Sequence, residues 1–107
     1  MPIVRLSDIA RAFIRREAHY LCERNATAAE NFLERLREAR RNLARFPEMG
    51  RPSPTPVPGL RRLVVGEYIL DYDLAPDRVE IVAIHHGRQQ DPFVVEDPTV
   101  DFEADDN

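Results

Sequence analysis

Two adjacent stretches of helical periodicity constrain the fold of this chain most strongly. Apolar residues recur at the spacing of one helix face at Ile9, Ala10, Phe13, Ile14, Ala18 and Leu21. A second stripe follows at Ala29, Phe32, Leu33, Leu36, Ala39, Leu43 and Phe46. Pro47 marks the end of this second predicted helix. Ser7 or Asp8 can cap the first helix, and the capping-box pattern from Thr27 to Glu30 can begin the second. Because so few residues separate the stripes, we predict an antiparallel helical hairpin.

Two charged residues interrupt these apolar stripes. Glu17 falls between Ile14 and Leu21, and Arg40 lies three helical turns beyond Ala29. Their opposite signs allow a partly buried ion pair. The plainer interpretation is that each side chain reaches the edge of its stripe and keeps its charged end in water.

The second half of the chain has the pattern of a β meander. Five prolines between residues 47 and 59 predict an extended, stiff connector. Three predicted strands follow, over 60–65, 67–74 and 79–86. Gly66-Glu67 suits a type II′ turn between the first two, and Pro76 favours a turn before the third. With a short β-type run at Ile3–Leu6, the predicted element order is β-α-α-β-β-β.

The last predicted strand is apolar on both faces. Strict alternation puts Val79, Ile81 and Ala83 on one face and Val82 and Ile84 on the other. Such a strand is either central in its sheet or covered on its second face by something else.

Charge divides the chain into a predicted domain over residues 1–90 and an acidic tail over residues 91–107. The tail holds seven acidic residues and no basic one, and we expect it to be mobile. All 15 basic residues are arginines and lie in residues 1–90, against 12 acidic ones. That modest excess is unlike a general nucleic-acid binder.

Size and composition disfavour several other classes. A domain of 107 residues leaves little room for a large buried cofactor, and we expect none. Cys22 is the only cysteine, and the histidines lack ligand spacing, so we expect no disulfide and no metal site. No apolar run is long enough to span a membrane, and the first residues lack a signal-peptide pattern. We therefore expect a cytoplasmic protein without membrane association.

Several short strings, in this order, resemble the toxins of the RelE/ParE superfamily, which belong to bacterial type II toxin–antitoxin systems. They are Leu6-Ser7, the helix exit Phe46–Arg51, Gly59-Leu60-Arg61, the tyrosines Tyr68 and Tyr72, the last-strand string Val79-Glu80-Ile81, and the ending His86-Gly87-Arg88-Gln89. The Pro-x-x-Gly-Arg helix exit and the His-Gly-Arg ending are most similar to the ParE branch. The long acidic tail departs from the pattern.

The resemblance implies an α+β fold in which the helical hairpin packs on a small, mostly antiparallel sheet. It further implies a hetero-oligomer with a cognate antitoxin and inhibition of DNA gyrase, with no chemistry performed by the toxin itself. The alternative is a RelE-like endoribonuclease that cuts mRNA in the ribosomal A site. A second alternative is a binding module of the same fold without toxicity.

Candidate site residues follow from these hypotheses. For the target-binding surface we predict Arg61, Arg62, His86 and Arg88, since arginines are frequent anchors at interfaces. For antitoxin binding we predict an exposed apolar face formed by Val82 and Ile84, together with an open sheet edge and the outer surface of the helices.

A ribonuclease would need cations on the phosphate, an acid and a base. Arg61 or Arg62 with Arg88 could bind the phosphate, one histidine such as His86 could serve as the acid, and Glu67 or Glu48 as the base. His85 and His86 are neighbours on a strand and point to opposite faces, which disfavours a two-histidine mechanism.

Overall fold

The computed structural model describes residues 2–87 and contains two helices and five strands. Their bounds are β1 (Ile3–Leu6), α1 (Asp8–Arg24), α2 (Ala26–Arg45), β2 (Arg51–Pro52), β3 (Leu60–Val65), β4 (Tyr68–Ala75) and β5 (Arg78–His86). The predicted β-α-α-β-β-β order is confirmed, and the two-residue strand β2 is an addition within the proline-containing connector. Arg88 and the predicted tail over 91–107 lie outside the described residues.

The helices begin where short polar side chains can cap them. The hydroxyl of Ser7 accepts a hydrogen bond from the backbone N–H of Ala10 at the start of α1. Asn25 ends α1 and also caps α2, because its side-chain oxygen accepts from the N–H groups of Thr27 and Ala28. The prediction that Thr27 begins α2 is therefore wrong, since Asn25 already satisfies these backbone donors.

The five strands form one sheet in the order β1-β5-β4-β3-β2. β1 runs parallel to β5, and the other neighbours are antiparallel. Val65 pairs with Tyr68 across a two-residue turn, where Gly66 has a φ of 61°. A positive φ at the first turn position is what a type II′ turn requires, and glycine adopts it without strain.

The helical hairpin packs on one face of this sheet and confirms the predicted α+β class. The core between the layers is contributed by every element except β2, with its fully buried side chains including Leu43, Leu70, Tyr72, Val79 and Ile81. The apolar stripes predicted for the helices thus face the sheet, except for Ile9 and Phe46, which are 66% and 59% exposed. Burial of this area is the main force holding the layers together.

A β-bulge in β5 changes which residues face the helices. Asp71 pairs with Ala83 and the next residue, Tyr72, pairs with Ile81, so Val82 is an extra residue without a counterpart on β4. Beyond this point the alternation is reversed, and Ile84 joins the core with 4% of its surface exposed. The prediction of an exposed face shared by Val82 and Ile84 is therefore wrong: Ile84 is buried and Val82, at the bulge, is half-buried.

Candidate functional site

An apolar groove opens between the two helices, above the end of β1 and the middle of β5. It has a volume of about 170 Å³. Its apolar lining comes from β1, both helices and β5, through Leu6, Ile14, Leu33, Leu36, Ile81 and Ile84. The exposed side chains of Arg37 and Arg40, on α2, lie at its rim. An apolar floor with cations at its edge suits a peptide that carries apolar residues flanked by carboxylates.

The bulge in β5 helps to form this groove. Ser7 binds both residues at the bulge, since its N–H donates to the carbonyl of Ile81 at 2.9 Å and its hydroxyl donates to the carbonyl of Val82 at 2.6 Å. The same hydroxyl caps α1. A single serine therefore fixes the start of α1 against the point where β5 turns Ile84 toward the helices.

Arg40 does not form the ion pair with Glu17 considered from the sequence. Its Nη2 donates to the carbonyl of Val4 at 3.2 Å, which holds it beside β1 at the rim of the groove. The side chain stays exposed, as the plainer interpretation predicts for Arg40. For Glu17 both interpretations are wrong, because it is 8% exposed and binds other partners.

Glu17 lies at the centre of a polar cluster with the buried Tyr68 and the half-buried His86. Its Oε2 accepts a hydrogen bond from the Tyr68 hydroxyl at 2.6 Å and lies 3.0 Å from Nε2 of His86. Phe13 packs edge-on against the rings of both partners. Burial raises the pKa of Tyr68 above its ordinary value. The hydrogen bond to Glu17 and the negative charge of Glu17 raise it further. This cluster joins α1 to β4 and β5 and supplies the partners that a buried carboxylate needs.

Arg61 and Tyr72 together fix the segment that follows α2. The guanidinium of Arg61 donates to the carbonyls of Glu48 and Gly50. The hydroxyl of Tyr72 donates to the carbonyl of Pro47 at 2.8 Å and accepts from the N–H of Gly50 at 2.9 Å. The string from Pro47 to Arg51, which carries part of the resemblance, is thus held by side chains of β3 and β4.

Arg62 faces the opposite side of the sheet from Arg61. It binds Asp71 through two parallel contacts, Nε to Oδ1 at 2.9 Å and Nη2 to Oδ2 at 3.1 Å. The Asp71 side chain is fully buried, and Ser53 also donates to it at 3.3 Å. Bidentate geometry makes the Arg62–Asp71 contact a strong pair. The hydrogen bond from Ser53 ties the proline-containing connector to the sheet.

The residues predicted for target binding are not gathered on one surface. Arg61 and Arg62 point to opposite faces of the sheet. Arg61 and His86 are also far apart along it, because Arg61 pairs with Tyr72 of β4 whereas His86 pairs with Tyr68, four residues earlier in the same strand. That separation is about 13 Å at the rise of an extended strand. Arg88 lies outside the described residues.

The residues considered for RNA cleavage are also dispersed over the described part of the chain. Glu67 is exposed in the β3–β4 turn, where its carbonyl accepts from the N–H of Gly87, so it lies at the same end of the sheet as His86. Arg61 and Arg62 lie further along the sheet, on opposite faces, and Arg61 holds the loop that contains Glu48. His19, the remaining histidine of the sequence, is exposed on α1 and pairs with Glu23.

The sequence predicts the outer helix surface as part of the antitoxin site, but it does not single out the residues on the helix side of the groove. Leu33 and Leu36 are predicted only as members of the core stripe, and Arg37 is not among the predicted site residues. The available signal was the width of that stripe, because Leu33 and Leu36 turn toward a second helix as well as toward the sheet.

Residues 2–87 contain neither a metal-binding cluster nor a membrane-spanning helix. No group of three or more His, Cys, Asp or Glu side chains in this range is placed to hold a metal ion. Neither α1 nor α2 is long and apolar enough to cross a membrane.

Comparison with known proteins agrees with the fold and identifies the family. A solved chain described as "Chromosomal ParDE TA system from P. aeruginosa" superposes with a TM-score of 0.67 at 17% identity, covering 80% of this chain and 96% of that chain. No curated protein sequence matches significantly. The family described as "ParE toxin of type II toxin-antitoxin system, parDE" matches residues 4–91, which is most of the chain. The chain therefore belongs to the ParE toxin family of type II toxin–antitoxin systems.

Proposed function

We propose that this chain is a toxin that inhibits DNA gyrase through a protein–protein contact and is neutralised by a cognate antitoxin. Membership of the ParE toxin family supports the toxin role. The observation that carries the antitoxin part of the proposal is the apolar groove with its arginine rim, which is suited to a peptide segment rather than to a small substrate.

The groove is the proposed antitoxin site. Extended or helical segments that order on binding commonly place apolar side chains in such a groove. Ile84 contributes to this site through the groove floor. Arg37 and Arg40 would pair with acidic residues that flank the apolar positions of the antitoxin segment, which favours rapid association and selectivity.

The proposed gyrase-binding surface includes His86, the last residue of β5, and we assign Arg88 to it from the sequence. Arg61, Arg62 and His86 each hold neighbouring parts of the fold together, and so their substitution would affect stability as well as binding. We therefore choose Arg88, the remaining predicted residue, to test target binding. The exposed Arg78, at the start of β5, is the control for the loss of one arginine.

The cellular test is controlled induction of the chain, alone and together with the product of the neighbouring gene. We expect growth arrest with induction of a DNA-damage reporter, rescue by the co-expressed neighbour, and loss of toxicity in Arg88→Ala but not in Arg78→Ala. Cleavage of mRNA at ribosomal A sites without DNA damage would replace gyrase by the ribosome as target. Normal growth on induction would contradict both assignments.

A further inference from the structure

The groove and the acidic tail carry complementary features within one chain. The segment over residues 91–97, Asp-Pro-Phe-Val-Val-Glu-Asp, has three consecutive apolar residues between carboxylates and no basic residue. The groove has an apolar floor and two rim arginines. The hairpin that forms most of the groove holds nine arginines against six acidic residues over positions 8–45, one of which, Glu17, is buried.

The connection between the two is short enough for an intramolecular contact. Ile84, on the groove floor, precedes Gly87 by three residues, which is about 10 Å along β5. From Gly87 to Phe93 the chain can extend about 20 Å. Phe93 can therefore reach a point above Ile84, and a linker of this length gives an effective concentration on the order of millimolar.

We propose that residues 91–97 of this chain dock in the groove formed by Leu6, Ile14, Leu33, Leu36, Ile81 and Ile84, with their carboxylates facing Arg37 and Arg40. Phe93 and Val95 cover the apolar floor. Because the groove is the proposed antitoxin site, the regulatory consequence rests on the proposed function: the tail protects the apolar floor in the free toxin, and an antitoxin segment must displace it.

The test is a competition in which neither antitoxin nor gyrase is present, so it can fail independently of the proposed function. A fluorescently labelled peptide of residues 90–98 is titrated with the full-length chain, made by cell-free synthesis, and its anisotropy is recorded. The wild-type chain is compared with Phe93→Ser/Val95→Ser, whose own tail is disabled, and with Val100→Ser, which alters an apolar tail residue outside the segment.

We expect the double variant to bind the peptide about 10-fold more tightly than the wild-type chain or Val100→Ser. Adding Arg37→Glu to the double variant should remove most of this affinity, whereas adding Arg41→Glu should leave it within about 2-fold. Equal affinity for wild-type and double variant, or no measurable binding to either, would overturn the proposal. Binding that is insensitive to Arg37→Glu would place the peptide elsewhere and would also overturn it.

Discussion

The hydroxyl of Tyr68 lies 2.6 Å from Oε2 of Glu17, so that β4 and α1 are joined by a hydrogen bond within the hydrophobic core. Tyr68 is 8% exposed and Glu17 is equally buried. The contact lies next to His86, the last residue of β5. It therefore connects the helical layer to the end of the sheet from which the chain leaves toward Arg88.

Tyr68→Phe should lower the free energy of unfolding by about 1–3 kcal/mol, because Glu17 loses its shortest donor while remaining buried. Urea unfolding of the isolated chain measures the change. Tyr20→Phe is the control. Because Tyr20 is 49% exposed, loss of its hydroxyl should change the free energy of unfolding by less than about 0.5 kcal/mol. Equal effects of the two substitutions would contradict the importance of the buried hydrogen bond.

The raised pKa of Tyr68 predicts a pH dependence at the alkaline end. The fold favours the neutral phenol, so this contribution to stability is complete below the ordinary pKa of about 10 and is lost as the pH rises from there toward the higher pKa of the folded state. Phenolate absorbance at 295 nm follows the titration in a chain with three tyrosines and no tryptophan. Tyr68→Phe should remove the part of the absorbance titration that occurs at the highest pH. Removal of a phase centred near pH 10 instead would contradict the raised pKa of Tyr68.

Arg62→Leu should lower the free energy of unfolding by about 3–5 kcal/mol, because it leaves the Asp71 carboxylate buried without its bidentate partner. Arg62→Leu/Asp71→Leu should recover a large part of that loss, since the second change removes the isolated charge. Denaturant unfolding of both variants checks the prediction. A double variant that is less stable than Arg62→Leu alone would show that the cost does not arise from the unpaired carboxylate.

Arg37→Glu should weaken antitoxin binding about 10-fold, and Arg41→Glu should change it by less than about 2-fold. The two are closely matched, because both arginines pair with Glu34 on the exposed face of α2 and are equally exposed, but only Arg37 lines the groove. These arginines hold the pKa of Glu34 below its ordinary value through hydrogen bonds. Surface plasmon resonance with immobilised antitoxin distinguishes the variants; equal losses would exclude the groove rim as a specific contact.

The helices and the meander could be predicted because their signals are local. The two apolar stripes, the glycine at the β3–β4 turn and the alternation in β4 each depend on a few neighbouring residues. The bulge at Val82 could not be predicted in this way. It depends on simultaneous pairing of β5 with β1 and β4 and on Ser7, which is 75 residues away in the chain.

The candidate site was less predictable than the fold for the same reason. Glu17 was recognised as unusual by its position in an apolar stripe, but its partners lie 51 and more residues away. The Arg62–Asp71 pair was accessible in principle, because a two-residue turn at Gly66-Glu67 sets these residues opposite each other. The groove required the relative placement of both helices and β5, which no single stretch of sequence specifies.

The central claim is tested most directly by an assay of supercoiling and DNA cleavage by purified DNA gyrase in the presence of the chain. An in vitro translation reaction is run in parallel with the same protein preparation. We predict loss of supercoiling and accumulation of cleaved plasmid in the presence of the chain, reversal of both by the antitoxin, and unchanged translation. Full gyrase activity at a molar excess of folded chain would contradict the proposed function. Inhibition of translation in the parallel reaction would point to the ribosome instead.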